Sequence, residues 1–339
     1  MKVNLVAVQA KPALEDYRDA GAFRRKMGSL MERAMAAADP SHPTLVAFPE
    51  AIGLFLSFVP FYWDEVRASK TLTQVIMKVV PKRLPKFLGA AVRNRAFGPQ
   101  AAFVHTALEA EKIYFDTFSD LARQHDAYVV AGSIYTPPVE YEGSRGRHLL
   151  SGRVYNTAYL FSPKGVCLRR VPKVNLVPPL ETRTGFSHGG KHDLVPVDTA
   201  LGRLGILICF DGFFETLVEH YDGLGVDIVI KPSYSMHPWN TPWYFGRGLT
   251  EGEAWLKYGL PAMIQGRENI RYGVNPMMVG KILDLEAEGL SNISWNTGDP
   301  SAPGEKALLA VADRPDDEAV VAATVEMPER ERKPVAVPA

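Results

Sequence analysis

The chain has 339 residues, 38 basic against 38 acidic, and 46% of it is hydrophobic. A formal net charge of zero speaks against a dedicated nucleic-acid binder, which needs a surplus of Lys and Arg to meet phosphates. Cys167 and Cys209 are too few for a disulfide framework or a four-cysteine zinc site, and no run reaches the roughly 18 apolar residues of a membrane span.

The N-terminal residues Met1-Lys2-Val3-Asn4-Leu5-Val6-Ala7-Val8-Gln9 predict a strand over 3–9 and lack the pattern of a signal peptide, which points to a cytoplasmic protein. A helix over 18–38 follows, then a strand at 44–48, a helix over 105–126 and strands at 128–131, 154–161, 166–170 and 204–209. The next expected elements are a helix over 213–223, a strand at 227–231, a helix over 244–258 and a strand at 261–265. The C-terminal third reads as strands at 272–279, 289–294, 307–311 and 319–325. Unbroken apolar runs such as Gly205-Ile206-Leu207-Ile208-Cys209-Phe210 indicate strands covered on both faces. In the second helix, Tyr114, Phe118, Leu121 and Ala122 share one face. This alternation predicts an α/β protein whose sheets are covered by helices in layers. Length alone allows two domains, but one layered unit over 1–327 with an insertion is the better reading. The charged, proline-containing tail at 328–339 reads as an extended arm.

That insertion covers about 54–104. Its first part, Leu54-Phe55-Leu56-Ser57-Phe58-Val59-Pro60-Phe61-Tyr62-Trp63, is intensely apolar. Residues 64–95 then carry eight basic residues against Asp64 and Glu65, so overall neutrality hides a local basic patch.

Three residues stand out for chemistry. Cys209 ends an apolar strand and precedes Asp211-Gly212, a turn signal, and Phe213-Phe214-Glu215, a helix start. A strand, sharp turn and helix put a side chain where α/β enzymes place reacting groups, and the amides of the turn can receive an oxyanion. The plainer reading is a buried structural cysteine, which is how Cys167 reads. Glu50 follows Phe48-Pro49 at the end of a strand, amid apolar neighbours that would raise its pKa towards that of a general base. Lys173 lies in Arg169-Arg170-Val171-Pro172-Lys173-Val174-Asn175-Leu176-Val177-Pro178-Pro179-Leu180-Glu181. By itself each of the two charged residues is more simply a solvated surface group.

Taken together, these segments resemble the nitrilase superfamily of carbon–nitrogen hydrolases, whose Glu–Lys–Cys triad occurs in this order. Pro49-Glu50, then Lys173 with Leu176, Pro178 and Glu181, then Gly205-Ile206-Leu207-Ile208-Cys209-Phe210-Asp211-Gly212-Phe213-Phe214-Glu215 carry the resemblance. It extends over about 1–53 and 105–326. Asn175 stands where the family often has His, Phe214 where it usually has Pro, and 54–104 has no counterpart in the compact pattern. The resemblance implies a four-layer α-β-β-α sandwich and a homodimer or higher assembly. It also implies a thioester mechanism with Glu50 as base, Cys209 as nucleophile, Lys173 and the Phe210 N–H at the oxyanion, and Glu181 orienting Lys173 or the substrate nitrogen. No metal or organic cofactor is implied. The Cys-x-Asp-Gly-x-x-x-Glu arrangement is similar to the amidase branches, so a linear amide is the expected substrate, with nitrile or carbamoyl hydrolysis and acyl transfer as alternatives. Phe210, Asn156 and Tyr234 are positional candidates for substrate contacts.

Other signals compete. Gly185-Phe186-Ser187-His188-Gly189 matches G-x-S-x-G, but its flanks provide no strand and helix for a nucleophile elbow. His188 and His192 with Asp193 suggest a metal site, yet i, i+4 ligation needs a helix that Gly189-Gly190 disfavours. The basic patch at 64–95 could place a catalytically silent adaptor on an anionic membrane surface. The favoured alternative is a lid whose apolar side packs over the site.

Overall fold

Strand β1 (Lys2–Gln9) is buried from Val3 onward, and its side chains divide by parity between two cores. Val6 and Val8 join one apolar cluster, while Val3, Leu5 and Ala7 join the other. A strand with no solvent face needs layers on both sides, and the rest of the chain supplies them. The structure is a computed structural model that describes residues 1–75, 77–79, 89, 92, 101–142, 145–148, 152–178 and 180–328.

The strands of the first half are β1, β2 (Thr44–Ala47), β3 (Tyr128–Thr136), β4 (Val139–Glu142), β5 (Arg145–His148), β6 (Tyr155–Phe161), β7 (Cys167–Pro172) and β8 (Val197–Thr199). Those of the second half are β9 (Gly202–Ile206), β10 (Ile228–Ile230), β11 (Tyr272–Asn275), β12 (Gly280–Ile282), β13 (Leu285–Ala287), β14 (Asn292–Trp295), β15 (Leu308–Val311) and β16 (Ala319–Glu326). One sheet has the order β16-β1-β2-β3-β6-β7 and the other β15-β14-β11-β10-β9-β8. Each has a parallel centre, β1-β2-β3 and β9-β10-β11, edged by antiparallel strands. Pairs β4-β5 and β12-β13 form separate hairpins.

Helices cover the outer faces. Ala20–Ala36 and Ala107–Gln124 place Phe23, Met27, Leu30, Tyr114 and Phe118 against the first sheet, where Phe48 meets Phe118 edge-on at 5.0 Å. Glu215–Gly223 and Glu251–Tyr258 place Leu217, Val218, Tyr221 and Trp255 in the cluster of the second sheet. The architecture is the expected α-β-β-α sandwich.

Local chemistry explains where the expected elements differ. The strand expected at 261–265 is a helical turn, Leu260–Met263, because Pro261 sits in its first turn, where a missing N–H is harmless. The helix expected over 244–258 starts only at Glu251. Gly246, Arg247 and Gly248 all have positive φ, which breaks a helix, and Thr250 caps the start in a reciprocal box with Glu253. The Thr-x-x-Glu signature was in the sequence. The strand expected over 272–279 ends at Asn275, before Pro276. The hairpins and the three-residue β8 gave no periodic signal.

Within the insertion, Leu54–Ser57 and Val59–Phe61 are 3-10 turns and Trp63–Arg67 is a short helix. Val66, Val75 and Val79 are buried in the first core, so the apolar side of this described part faces inward. Arg67 and Lys70 are exposed, and Lys78 donates to Ala68 O at 2.5 Å. The remaining basic residues, Lys82, Arg83, Lys86, Arg93 and Arg95, lie outside the described residues, as does the expected arm beyond Pro328. Among the described residues, no helix is long and apolar enough to cross a membrane.

Candidate active site

The sequence candidates meet where strand ends of the two sheets converge. Glu50 lies just beyond β2, Lys173 directly after β7, and Cys209 just beyond β9. All three are buried.

The turn that presents Glu50 needs close backbone approach. Ala51 has φ +61 and donates its N–H to Ser133 Oγ at 2.9 Å. Gly132, at φ +74, passes so near that a Cβ there would stand 2.0 Å from Pro49 O. Gly132→Ala should therefore displace the Glu50 turn. We expect an activity loss of about tenfold or more and a destabilisation of about 1–3 kcal/mol, measured by turnover and a urea midpoint. A variant with wild-type values for both would show that the turn tolerates displacement.

Cys209 opens a 3-10 turn, Cys209–Phe213, with φ +48, a strained value for a residue with a Cβ. Its N–H donates to Pro232 O at 2.8 Å, and its Sγ lies 3.8 Å from Tyr234 O. The turn closes with Asp211 N to Ile208 O at 3.0 Å and Phe214 N to Asp211 O at 3.1 Å, bonds that do not use the Phe210 N–H. Asp211 is more than a turn former. Its carboxylate accepts from the amides of Asn175 (2.6 Å), Val174 (3.1 Å) and Ile208 (3.3 Å), tying the Lys173 segment to the cysteine turn. Burial nevertheless pushes Asp211 up to about 7, against the amides and Lys173.

Lys173 Nζ lies 2.7 Å from both Glu50 Oε1 and Glu181 Oε2. Glu181 Oε2 also accepts from Val177 N at 2.8 Å, and its Oε1 from Tyr135 OH at 2.9 Å. Asn156 Nδ2 lies 2.8 Å from Glu50 Oε1, 3.1 Å from Tyr135 OH and 3.2 Å from Glu181 Oε1. Asn156 thus binds the two carboxylates to one another. Tyr135 was not singled out in the sequence, where a tyrosine on a buried strand gives no signal.

Electrostatics separate the two glutamates. Burial raises Glu50 above the ordinary carboxylate range; Lys173 opposes the shift and the charge of Glu181 adds to it. Burial also acts on Glu181, but Lys173 and the Val177 amide overcome it and hold that carboxyl low. Burial would depress Lys173, yet the two carboxylates outweigh it and keep the ammonium charged. Burial and then the charge of Glu50 push the Cys209 thiol far up, so the resting sulfur is protonated. The cluster has a basic carboxylate beside a thiol, with a fixed cation between two carboxylates.

The remaining candidates fall nearby or elsewhere. Phe210 stacks on Phe245 at 5.5 Å, beside Cys209. Burial raises the Tyr234 phenol above its usual range. Ser187 lies in a loop and donates its N–H to Val154 O, with no strand entering it. His188 Nδ1 is 3.0 Å from Val174 O, while His192 pairs with Asp193 at 3.7 Å in a 3-10 turn. Cys167, half-buried on β7, is pushed up to about 11 by burial.

A family model described as carbon-nitrogen hydrolase matches residues 5–249. This chain belongs to the carbon–nitrogen hydrolases of the nitrilase superfamily. A similar protein is the apolipoprotein N-acyltransferase of Geobacter metallireducens, 32% identical over 135 residues, covering 36% of this chain and 24% of that protein. The probable hydrolase YhcX of Bacillus subtilis is 28% identical over 179 residues, covering 52% and 30%. The carbon–nitrogen hydrolase chain thus spans under a third of the length of these two curated relatives. Its fold is similar to the amidase of Nesterenkonia sp. AN1 (TM-score 0.56, 16% identity, 97% and 93% coverage). It is also similar to Nit3 of Saccharomyces cerevisiae (TM-score 0.59, 19% identity, 95% and 89% coverage).

Proposed function

We propose that this carbon–nitrogen hydrolase cleaves a linear, non-peptide amide to a carboxylic acid and ammonia through a thioester on Cys209. The observation that carries the reading is the buried Glu50–Lys173–Glu181 cluster, with both contacts at 2.7 Å, beside a cysteine on a strained turn. Glu50 takes the thiol proton as Sγ attacks the carbonyl carbon. Lys173 and the Phe210 N–H stabilise the oxyanion, each good donor being worth about 3–4 kcal/mol. The tetrahedral adduct collapses, the C–N bond breaks, and the nitrogen leaves with the proton held by Glu50. Water deprotonated by Glu50 then cleaves the thioester and restores the thiol. Glu181 keeps Lys173 in place and charged throughout.

Amide is preferred to nitrile on the Cys209-Phe210-Asp211-Gly212 and Glu215 arrangement, similar to the amidase branches. The Nesterenkonia amidase, of the same fold, has an active-site cysteine that adds acrylamide. The insertion serves as a lid: Phe103 packs on Phe58 at 5.0 Å, on Phe186 at 5.1 Å and on Tyr135 at 6.0 Å. Tyr135 in turn donates to Glu181, so an aromatic wall from the insertion reaches the acid cluster. Such a wall favours apolar acyl groups. We read 1–327 as one hydrolase domain, assembling as a homodimer in the cytoplasm.

An ammonia-release screen over amides of increasing acyl length, carbamoyl compounds and nitriles tests the reading. Turnover of apolar amides is expected, with Phe103→Ala shifting preference to longer acyl groups. Reaction of nitriles alone would overturn amide hydrolysis. Acyl hydroxamate formed from added hydroxylamine without free acid would instead mark an acyltransferase.

A further inference from the structure

A second fully buried lysine lies behind the turn that carries Cys209, and the reaction above does not use it. Lys231 follows β10 and is 0% exposed, and among the described residues no acceptor lies within hydrogen-bond reach of its Nζ. Its stem runs along Gly212, where a Cβ would stand 2.6 Å from Lys231 Cδ. A side chain on Gly212 and this lysine therefore exclude one another. The ammonium ends between two aromatic faces, 4.0 Å from the Trp255 ring centre and 4.3 Å from that of Phe213. It also approaches the end of helix Glu251–Tyr258, since a Cβ on Gly259 would stand 3.6 Å from Nζ. Aromatic faces and helix C-terminal carbonyls both favour a cation, yet neither cancels its charge with an anion.

The lysine is joined to the nucleophile by backbone. Cys209 donates its N–H to the carbonyl of Pro232, the residue after Lys231, and Gly212 belongs to the same turn as Cys209. The buried cluster already holds Glu50 and Glu181 against Lys173 alone. Ionising Cys209 would set three negative charges against one positive, unless another cation answers them. The titratable groups around Lys231 are Cys209 and Asp211 on the turn, Glu50 beyond β2, and Glu251 on the helix. Glu251 Oε1 is occupied by Trp255 Nε1 at 2.9 Å and Ser235 Oγ at 3.0 Å.

We propose that Lys231 is a positioning residue for the reaction, whose caged and unpaired ammonium stabilises the Cys209 thiolate from behind the turn. The proposal rests on the reading of Cys209 as nucleophile. Burial brings Lys231 down to about 7, against the charges of Cys209 and Glu50, so this support fades as pH rises through neutrality.

The test is the rate of alkylation of Cys209 by iodoacetamide in the full-length chain from about pH 5.5 to 9, with the labelled site mapped by mass spectrometry. In the wild type the rate should climb with pH and then flatten near neutrality. Lys231→Met and Lys231→Gln should react about tenfold more slowly at pH 6, equivalent to one unit in the thiol pKa, and lose that break. A cooperatively folded Lys231→Met whose profile superimposes on the wild type would overturn the proposal. So would a wild-type profile without a break, which decides the matter even where neither variant folds. Label on Cys167 with none on Cys209, or full turnover by Cys209→Ala, would instead bring down the nucleophile assignment itself.

Discussion

Cys209→Ala is expected to fold as the wild type does and to lose at least about 10⁴-fold in kcat on every amide the wild type turns over. Alanine meets the same penalty at φ +48 as cysteine, so the substitution adds no backbone strain. It removes one long sulfur contact, 3.8 Å to Tyr234 O, and with it the atom that forms the thioester. The comparison requires matched thermal melts and an intact-mass search for an acyl adduct, expected in the wild type and absent from the variant. Residual turnover within tenfold of the wild type would remove the covalent mechanism. The same mechanism sets the acid side of the pH profile. Glu50 must be ionised to accept the thiol proton, and its pKa lies above that of an ordinary carboxylate. The rate should therefore rise with pH across a limb displaced upwards from the usual glutamate range, and Glu50→Gln should abolish that limb along with most of the rate.

Lys173→Met should be the most damaging single change for stability as well as for activity. It leaves Glu50 and Glu181, both nearly inaccessible to solvent, without the cation that lies 2.7 Å from each. Removing one partner of a buried ion pair costs about 3–5 kcal/mol, because the charge left behind stays desolvated. Loss of an oxyanion donor adds a further 10²–10³-fold or so in kcat. The sign of the pH dependence follows from the same geometry. Without Lys173 the two carboxyls bind protons more tightly folded than unfolded, so the variant's stability deficit should grow as pH rises and shrink as pH falls. Lys173→Met with Glu181→Gln should recover part of the stability and none of the activity. Urea midpoints at several pH values check this. Lys173→Met as stable as the wild type at pH 8 would show that the lysine does not hold the cluster together.

Much of the frame was legible in order along the chain. Uninterrupted apolar runs at β1, β9 and β10 announced strands buried on both faces, and the spacing of Tyr114, Phe118, Leu121 and Ala122 announced a covering helix. Both patterns are local, set by residue period and burial. The misread segment at 261–265 was short and apolar, where a proline in the first helical turn outweighs hydrophobicity. Glu50, Lys173 and Cys209 could be singled out because each ends a strand-like run and together they form an ordered pattern.

What the sequence alone determined, then, is the set of buried strands, the helices that cover them and the identity of three reacting side chains. The tertiary structure decided their chemistry. Asp211 ties two distant segments together, Asn156 joins two carboxylates, Tyr135 carries the aromatic wall of the insertion to Glu181, and Lys231 lies caged behind the nucleophile. None of these roles has a local signature, because a pKa or a charge balance depends on desolvation and on neighbours dozens of residues away. Glu50 and Lys173 are separated by 123 positions and meet only when strands of the first sheet end side by side.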